Sequence, residues 1–157
     1  MNIKDVDMSK QAFVYAAIHL LANRMQVIGD KIDPTISTKQ WFLLAAVSKF
    51  KNTPPNISDI ADGLGTSRQN IKKMANILEK RGFLKMKRDE SDLRNIQLFL
   101  TEQCRNYFKS RDQKESEYLE NIFLGIDDEM LHMLCSGMGK LVENIDSLLG
   151  GNANAEG

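Results

Sequence analysis

The chain has 157 residues, 42 % of them apolar and 27 % charged, enough for one substantial hydrophobic core. No apolar run approaches the ~20 residues of a membrane helix. Asp5 and Asp7 stand where a secretory leader would be basic, so the expected compartment is the cytoplasm. Cys104 and Cys135 are too few for a disulfide framework. Net charge is zero, but unevenly spread. Gly65 to Arg111 holds 12 Lys+Arg against 5 Asp+Glu, a balance of +7, whereas Asp112 to the end holds 2 against 10, a balance of −8. A local field of this kind steers a protein to a charged partner whatever its net charge.

In chain order, a helix is expected from about Ser9 to Gly29. Its apolar residues fall on two faces: Phe13, Ala16, Ala17, Leu20, Val27 and Ile28 on one, and Ile18, Leu21 and Met25 on the other. A helix apolar over so much of its surface needs cover on more than one side, and a second subunit supplies it. Ser37-Thr38-Lys39-Gln40 reads as a capping box that opens a second helix to about Phe50, with Trp41, Leu44, Ala45 and Val47 turned to the core. After the rigid Pro54-Pro55, Asn56-Ile57 can pair as an edge strand.

The stretch from Ile57 to Thr101 carries the densest signal. A short helix, capped by Ser58, buries Ile57, Ile60, Ala61 and Leu64. Gly65 supplies a left-handed turn. Thr66 or Ser67 then caps a second helix that buries Ile71, Met74, Ile77 and Leu78. This is a helix-turn-helix. Two strands follow, Phe83 to Arg88 and Asn95 to Leu100, around a polar tip from Asp89 to Arg94. Helix-turn-helix and hairpin together make a winged helix.

The exposed residue types suit DNA. Thr66, Ser67, Arg68, Gln69, Asn70, Lys72 and Lys73 stand at the start of the second helix, the end that reaches base edges. Arg pairs with guanine at two points, and Gln or Asn does so with adenine. Lys72, Lys73, Lys85, Lys87 and Arg88 suit phosphates. Arg94 suits a minor groove, with Asp92 close enough to hold it.

Three motifs make the sequence resemble the MarR family of winged-helix transcription regulators: Ile60-Ala61-x-x-Leu64-Gly65-x-Ser67-Arg68-x-x-Ile71, then Leu78-Glu79-Lys80-Arg81-Gly82-Phe83-Leu84, then Asp92-x-Arg94 with Leu98-x-Leu100-Thr101. The resemblance implies a homodimer that binds double-stranded DNA at an inverted repeat, usually as a repressor, and lets go when a small aromatic or anionic effector enters a cleft. His19, Met25 and Trp41 are the candidate pocket residues. The expected fold class is mainly α with a small β-hairpin. A winged helix-turn-helix domain (34–101) is flanked by an N-terminal dimerisation helix (1–33) and C-terminal dimerisation helices (102–150), with a disordered tail (151–157).

Beyond the wing, Thr101 caps a long helix with Cys104, Tyr107 and Phe108 on its apolar side and a charged middle from Arg111 to Glu117, read as an arm through solvent. Gly125 breaks it. Asp127-Asp128-Glu129 opens a last helix, where Leu131, Leu134, Met138, Leu141, Ile145 and Leu148 repeat at three and four, a seam for other helices. Both cysteines read as core thiols, and Gly137-x-Gly139 as a close-packing site. No catalytic constellation, cofactor loop or metal-ligand spacing is found, so neither an enzyme, a cofactor nor a metal is expected. Two alternatives remain: a winged-helix module that docks an acidic protein, and a DNA-binding regulator with no effector.

Overall fold

The structure, a computed structural model, describes residues 6–89 and 92–152. Residues 1–5, wing-tip residues 90 and 91, and residues 153–157 lie outside these. Six helices and one hairpin follow in order: α1 (Lys10–Ile32), α2 (Thr38–Lys49), α3 (Ile57–Gly63), α4 (Arg68–Lys80), β1 (Leu84–Arg88), β2 (Ile96–Leu100), α5 (Glu102–Ile122) and α6 (Asp128–Asn152). The architecture is mainly α with a two-stranded antiparallel sheet, as expected. The chain divides into two compact units, Met1–Asp112 and Gln113–Gly157, with the boundary inside α5.

The first unit is built around one apolar cluster. Leu43, Leu44 and Val47 come from α2, Ile60 and Ala61 from α3, Ile71, Ala75 and Leu78 from α4, with Phe83, Leu84, Leu98 and Cys104 closing it from the hairpin and α5. Each large side chain removed from water here contributes about 1.5–3 kcal/mol. Leu43 and Ala75 were not anticipated as core residues, while Trp41 and Ala45 are only half-buried.

Local signals placed the elements. Ser37 Oγ accepts from Gln40 N at 3.3 Å while Gln40 Oε1 accepts from Ser37 N at 3.1 Å, the reciprocal capping box that opens α2. Thr38 sits where α1 and α2 meet: its N–H donates to Asp30 Oδ1 at 2.6 Å and its hydroxyl to the Gln26 carbonyl at 3.3 Å. Any side chain at Gly29 would collide with that hydroxyl. The α3 cap is a correction. Asn56, not Ser58, stands at the N-cap, its Oδ1 accepting from Ser58 N at 2.7 Å and Asp59 N at 3.0 Å. Asn56 has the extended backbone a cap needs because it also forms a bridge with Gln97 of β2. The edge pairing expected at Asn56 is thereby observed.

The middle of α5 is a second correction. Arg111 does not lie in a solvated run. Its Nη1 lies 3.0 Å from Asp33 Oδ2 and donates to Tyr107 Oη at 2.9 Å, and its guanidinium stands 5.6 Å from the centre of the Trp41 ring. The Tyr107 hydroxyl donates to the same carboxylate. Burial pushes the Asp33 carboxyl up, but the hydrogen bonds from Tyr107 and Thr35 and the charge of Arg111 outweigh it and leave the group below its ordinary value. Burial first, then the bond to Asp33, raise the Tyr107 phenol to about 12.

In the second unit Gly125 takes φ +81°, a left-handed stop that suits glycine. Asp127 Oδ1 then accepts from Met130 N at 2.8 Å and caps α6. Gly151 and Asn152 are helical, not part of a tail; the rest of the expected tail lies outside the described residues. Cys104 is buried as expected, and burial raises its thiol to about 11. Cys135 is exposed, contrary to expectation, because the surrounding side chains of α6 are themselves exposed. For the same reason nothing packs within 4 Å of where side chains at Gly137 or Gly139 would stand.

Candidate nucleic-acid interface

The helix-turn-helix is assembled from its turn. Gly65 adopts φ +60°, and the next amide, Thr66 N, donates to the Ala61 carbonyl at 2.9 Å. Ser67 is the N-cap of α4; its hydroxyl accepts from Asn70 N at 3.2 Å. Ile71, Ala75 and Leu78 bury one stripe of the helix. That anchors the opposite stripe, so Arg68, Gln69, Asn70, Lys72 and Lys73 are all exposed. Asn70 Nδ2 lies 3.3 Å from Thr66 Oγ1, which steadies one amide at the start of the helix.

The wing is equally well tied. Leu84 pairs with Leu100 and Arg88 with Ile96, in antiparallel register. On the other side of β2, Leu98 N donates to the Pro55 carbonyl at 2.9 Å. At the tip, Asp89 N donates to the Asn95 carbonyl and Asn95 N to the Asp92 carbonyl. Asp92 Oδ1 accepts from Arg94 N at 3.0 Å and from Arg94 Nε at 3.2 Å, the hold that the spacing foretold. The Arg94 side chain is nevertheless 92 % exposed, so the guanidinium is oriented without being spent on the protein. Lys87 lies 5.4 Å above the Phe99 ring, and Arg88 is exposed on the same strand.

These parts converge. A cleft of about 480 Å³ has Arg68, Gln69 and Lys72 of α4 on one wall and Asp92, Arg94 and Asn95 of the wing on the other. Asn56 and Ser58, read from the sequence only as an edge-strand residue and a helix cap, also line it. Nothing in their local pattern marks them, since Asn56 arrives there through its bridge to Gln97. On the far side of α4, Thr66, Asn70 and Lys73 line a second cleft with Lys39 and Phe42 of α2. The expected surface is therefore divided by the helix: one half faces the wing and the other faces α2.

Residues 36–96, α2 through the start of β2, match the family model described as MarR family. Those residues form a MarR-family domain. Solved structures agree over a longer span. A MarR transcriptional regulator from Methanosarcina mazei Go1 is 25 % identical, with a TM-score of 0.77 over 87 % of this chain and 99 % of its own. MepR of S. aureus, solved with DNA, is 14 % identical, with a TM-score of 0.76 over 88 % of this chain and 99 % of its own. PcaV of Streptomyces coelicolor, solved with its natural ligand, is 13 % identical, with a TM-score of 0.75 over 88 % and 97 %. No curated protein gives a significant match.

The three candidate pocket residues have separate surroundings. His19 is exposed and meets Tyr15 edge to face, with ring centres 4.8 Å apart. Met25 is half-buried on α1. Trp41 meets Phe42 at 5.0 Å and the Arg111 guanidinium, and its indole N–H is buried with no hydrogen-bond partner. Among the described residues no helix is long and apolar enough to cross a membrane, and no cluster of His, Cys, Asp and Glu could hold a metal ion.

Proposed function

We propose that this regulator is a homodimer that binds double-stranded DNA at an inverted-repeat operator, as a repressor released by a small aromatic or anionic ligand, and works in the cytoplasm. The observation that carries the reading is the shared cleft: Arg68, Gln69 and Lys72 stand opposite Arg94, so major-groove and minor-groove chemistry can engage one duplex together. Arg68, Gln69 and Asn70 are the base readers, helped by Thr66 and Ser67. Lys72, Lys73, Lys87 and Arg88 neutralise phosphates. Asp92 aims Arg94. MepR, of the same fold, has been solved on DNA, which supports a DNA-bound state for this chain too.

One recognition helix spans only a few base pairs. Two of them, about 34 Å apart across a two-fold axis, span one duplex turn and read an inverted repeat. A second copy is also the natural cover for α6, where Leu134, Met138, Ile145 and Leu148 are all exposed. A ligand that favours a different separation of the two heads lowers affinity by its difference in binding to the two states. PcaV, solved with a natural ligand, supports the effector half of the proposal.

The test is selection of duplexes from a random pool by the purified protein, followed by gel shifts at several salt concentrations. The expected result is a symmetric site whose affinity falls linearly with salt on logarithmic axes. Arg68→Ala should cost about 1–3 kcal/mol and relax preference at one position per half-site. Arg94→Ala should weaken all sites and lower the salt slope by about one. Affinity indifferent to both changes rejects the assignment, and selection of no sequence favours an acidic protein as the partner of this basic face. The same gel shift, repeated with benzoate and salicylate as probes, tests the effector.

A further inference from the structure

Glu79 is the only acidic residue of α4, and it sits in the last turn of that helix. Two forces oppose it there. The helix dipole disfavours an anion at a C-terminus. A carboxylate beside Lys80 and Arg81 also weakens the field that draws in phosphates. The structure supplies the compensating contact: Glu79 Oε1 accepts the backbone N–H of Met86 at 2.7 Å. Met86 lies on β1, paired with Leu98 of β2 across the hairpin. The sheet has two strands, so the outward amides of β1 have no third strand to bond.

The position of this bond along the hairpin matters. The root is tied separately, by the Thr101 hydroxyl donating to the Gly82 carbonyl at 2.6 Å and Gln103 Nε2 donating to the Arg81 carbonyl at 3.2 Å. Those bonds fix where the hairpin starts. Farther out, the apolar cluster seats the hairpin on α4, the Leu98 N–Pro55 carbonyl bond and the Asn56–Gln97 bridge hold its β2 edge, and Glu79 holds its β1 edge. The bond from Glu79 falls two residues farther out than Leu84, the first residue of β1. A strand advances about 3.3 Å per residue, so Asp89 lies about 16 Å from that root and a swing of about 10° moves it by about 3 Å. A displacement of that size carries the Arg94 guanidinium out of hydrogen-bond reach of any group that Arg68 and Gln69 leave in register.

We propose that Glu79 is a positioning residue of the interface: its carboxylate straps β1 to the end of the recognition helix and sets the wing angle at which Arg94 and Arg68 engage one duplex. The proposal rests on the DNA-reading function above. Glu79 touches no DNA itself.

The experiment uses the full-length protein and the duplex that wild type selects from a random pool. If wild type selects none, the regulator reading fails; with a selected duplex in hand, every later result concerns Glu79 alone. Glu79→Ala removes one charge-assisted hydrogen bond and is expected to lower affinity about tenfold. Glu79→Gln keeps the acceptor and is expected to stay within about threefold of wild type. In an Arg94→Ala background, Glu79→Ala is expected to change affinity less than about twofold, because the wing contact it aims is already gone. Equal losses in both backgrounds, unchanged or tighter binding by Glu79→Ala, or a tenfold loss in Glu79→Gln would each overturn the proposal. Hydrogen exchange at the Met86 amide gives a readout independent of binding: protected in wild type and Glu79→Gln, and faster in Glu79→Ala. An unprotected Met86 amide in wild type overturns the proposal without any variant.

Discussion

Helices α4 and α6 solve opposite problems. In α4 the apolar residues Ile71, Ala75 and Leu78 are wholly hidden and the outward side is cationic and amide-bearing. In α6 the apolar residues are the exposed ones: Leu131, Leu134, Met138, Ile145 and Leu148 are between 37 and 71 % exposed. A helix already satisfied by its own core can offer polar chemistry to a soluble, charged partner. A helix whose apolar side is open to water gains about 1.5–3 kcal/mol for each large side chain that another protein surface covers. The first pattern suits an anionic partner and the second a protein surface, and on the proposed reading the two serve as separate interfaces.

The largest effect is expected where that contrast is sharpest. Leu134→Glu with Ile145→Glu places two charges in the α6 seam. Sedimentation should show single subunits, and operator affinity should fall by more than about a hundredfold, since a lone reading head keeps only half the contacts. Unchanged mass and affinity would mean that α6 is not a subunit interface. Next is the hidden side of α4. Ile71→Ala leaves a cavity in the core and should destabilise by about 2–5 kcal/mol, a fall in melting temperature on the order of ten degrees. The corresponding change at Leu148 of α6, 71 % exposed, should leave the melting temperature of the isolated subunit nearly unchanged.

The smallest effect concerns the charged cluster of the first unit. Asp33 lies below its ordinary carboxyl value, so its contribution to stability is present above about pH 4 and is lost as pH falls through the lower, folded value. Asp30 behaves alike, chiefly through the backbone N–H of Thr38. Melting temperature followed from about pH 6 to pH 2 should therefore fall more steeply for wild type than for Asp33→Asn. Parallel curves would mean that Asp33 is not ionised against Arg111 in the folded state.

What was legible in the sequence was what lies within about four residues. Ser37 and Gln40 cap each other three positions apart, Asp92 reaches Arg94 across two, and Gly65 sits in the turn its own φ requires. The cap of α3 was misread because Asn56 and Ser58 are both competent caps, and a contact with Gln97, forty-one residues on, decides between them. Arg111 looked like one charge in a solvated run because Asp33 lies 78 residues away. Cys104 and Cys135 have similar apolar neighbours in sequence, yet one is buried and the other exposed, because burial depends on what the helix packs against.

The sequence by itself determined the helix-turn-helix, the hairpin, the cationic character of α4 and the apolar seam of α6, since periodicity and capping act between near neighbours. Only the tertiary structure decided that Arg68 and Arg94 share one cleft, that Asn56 stands beside them, and that Glu79 holds a strand. Those relations join residues far apart in the chain. They exist because one apolar cluster fixes α4, the hairpin and the start of α3 against one another, and no local pattern encodes that distance.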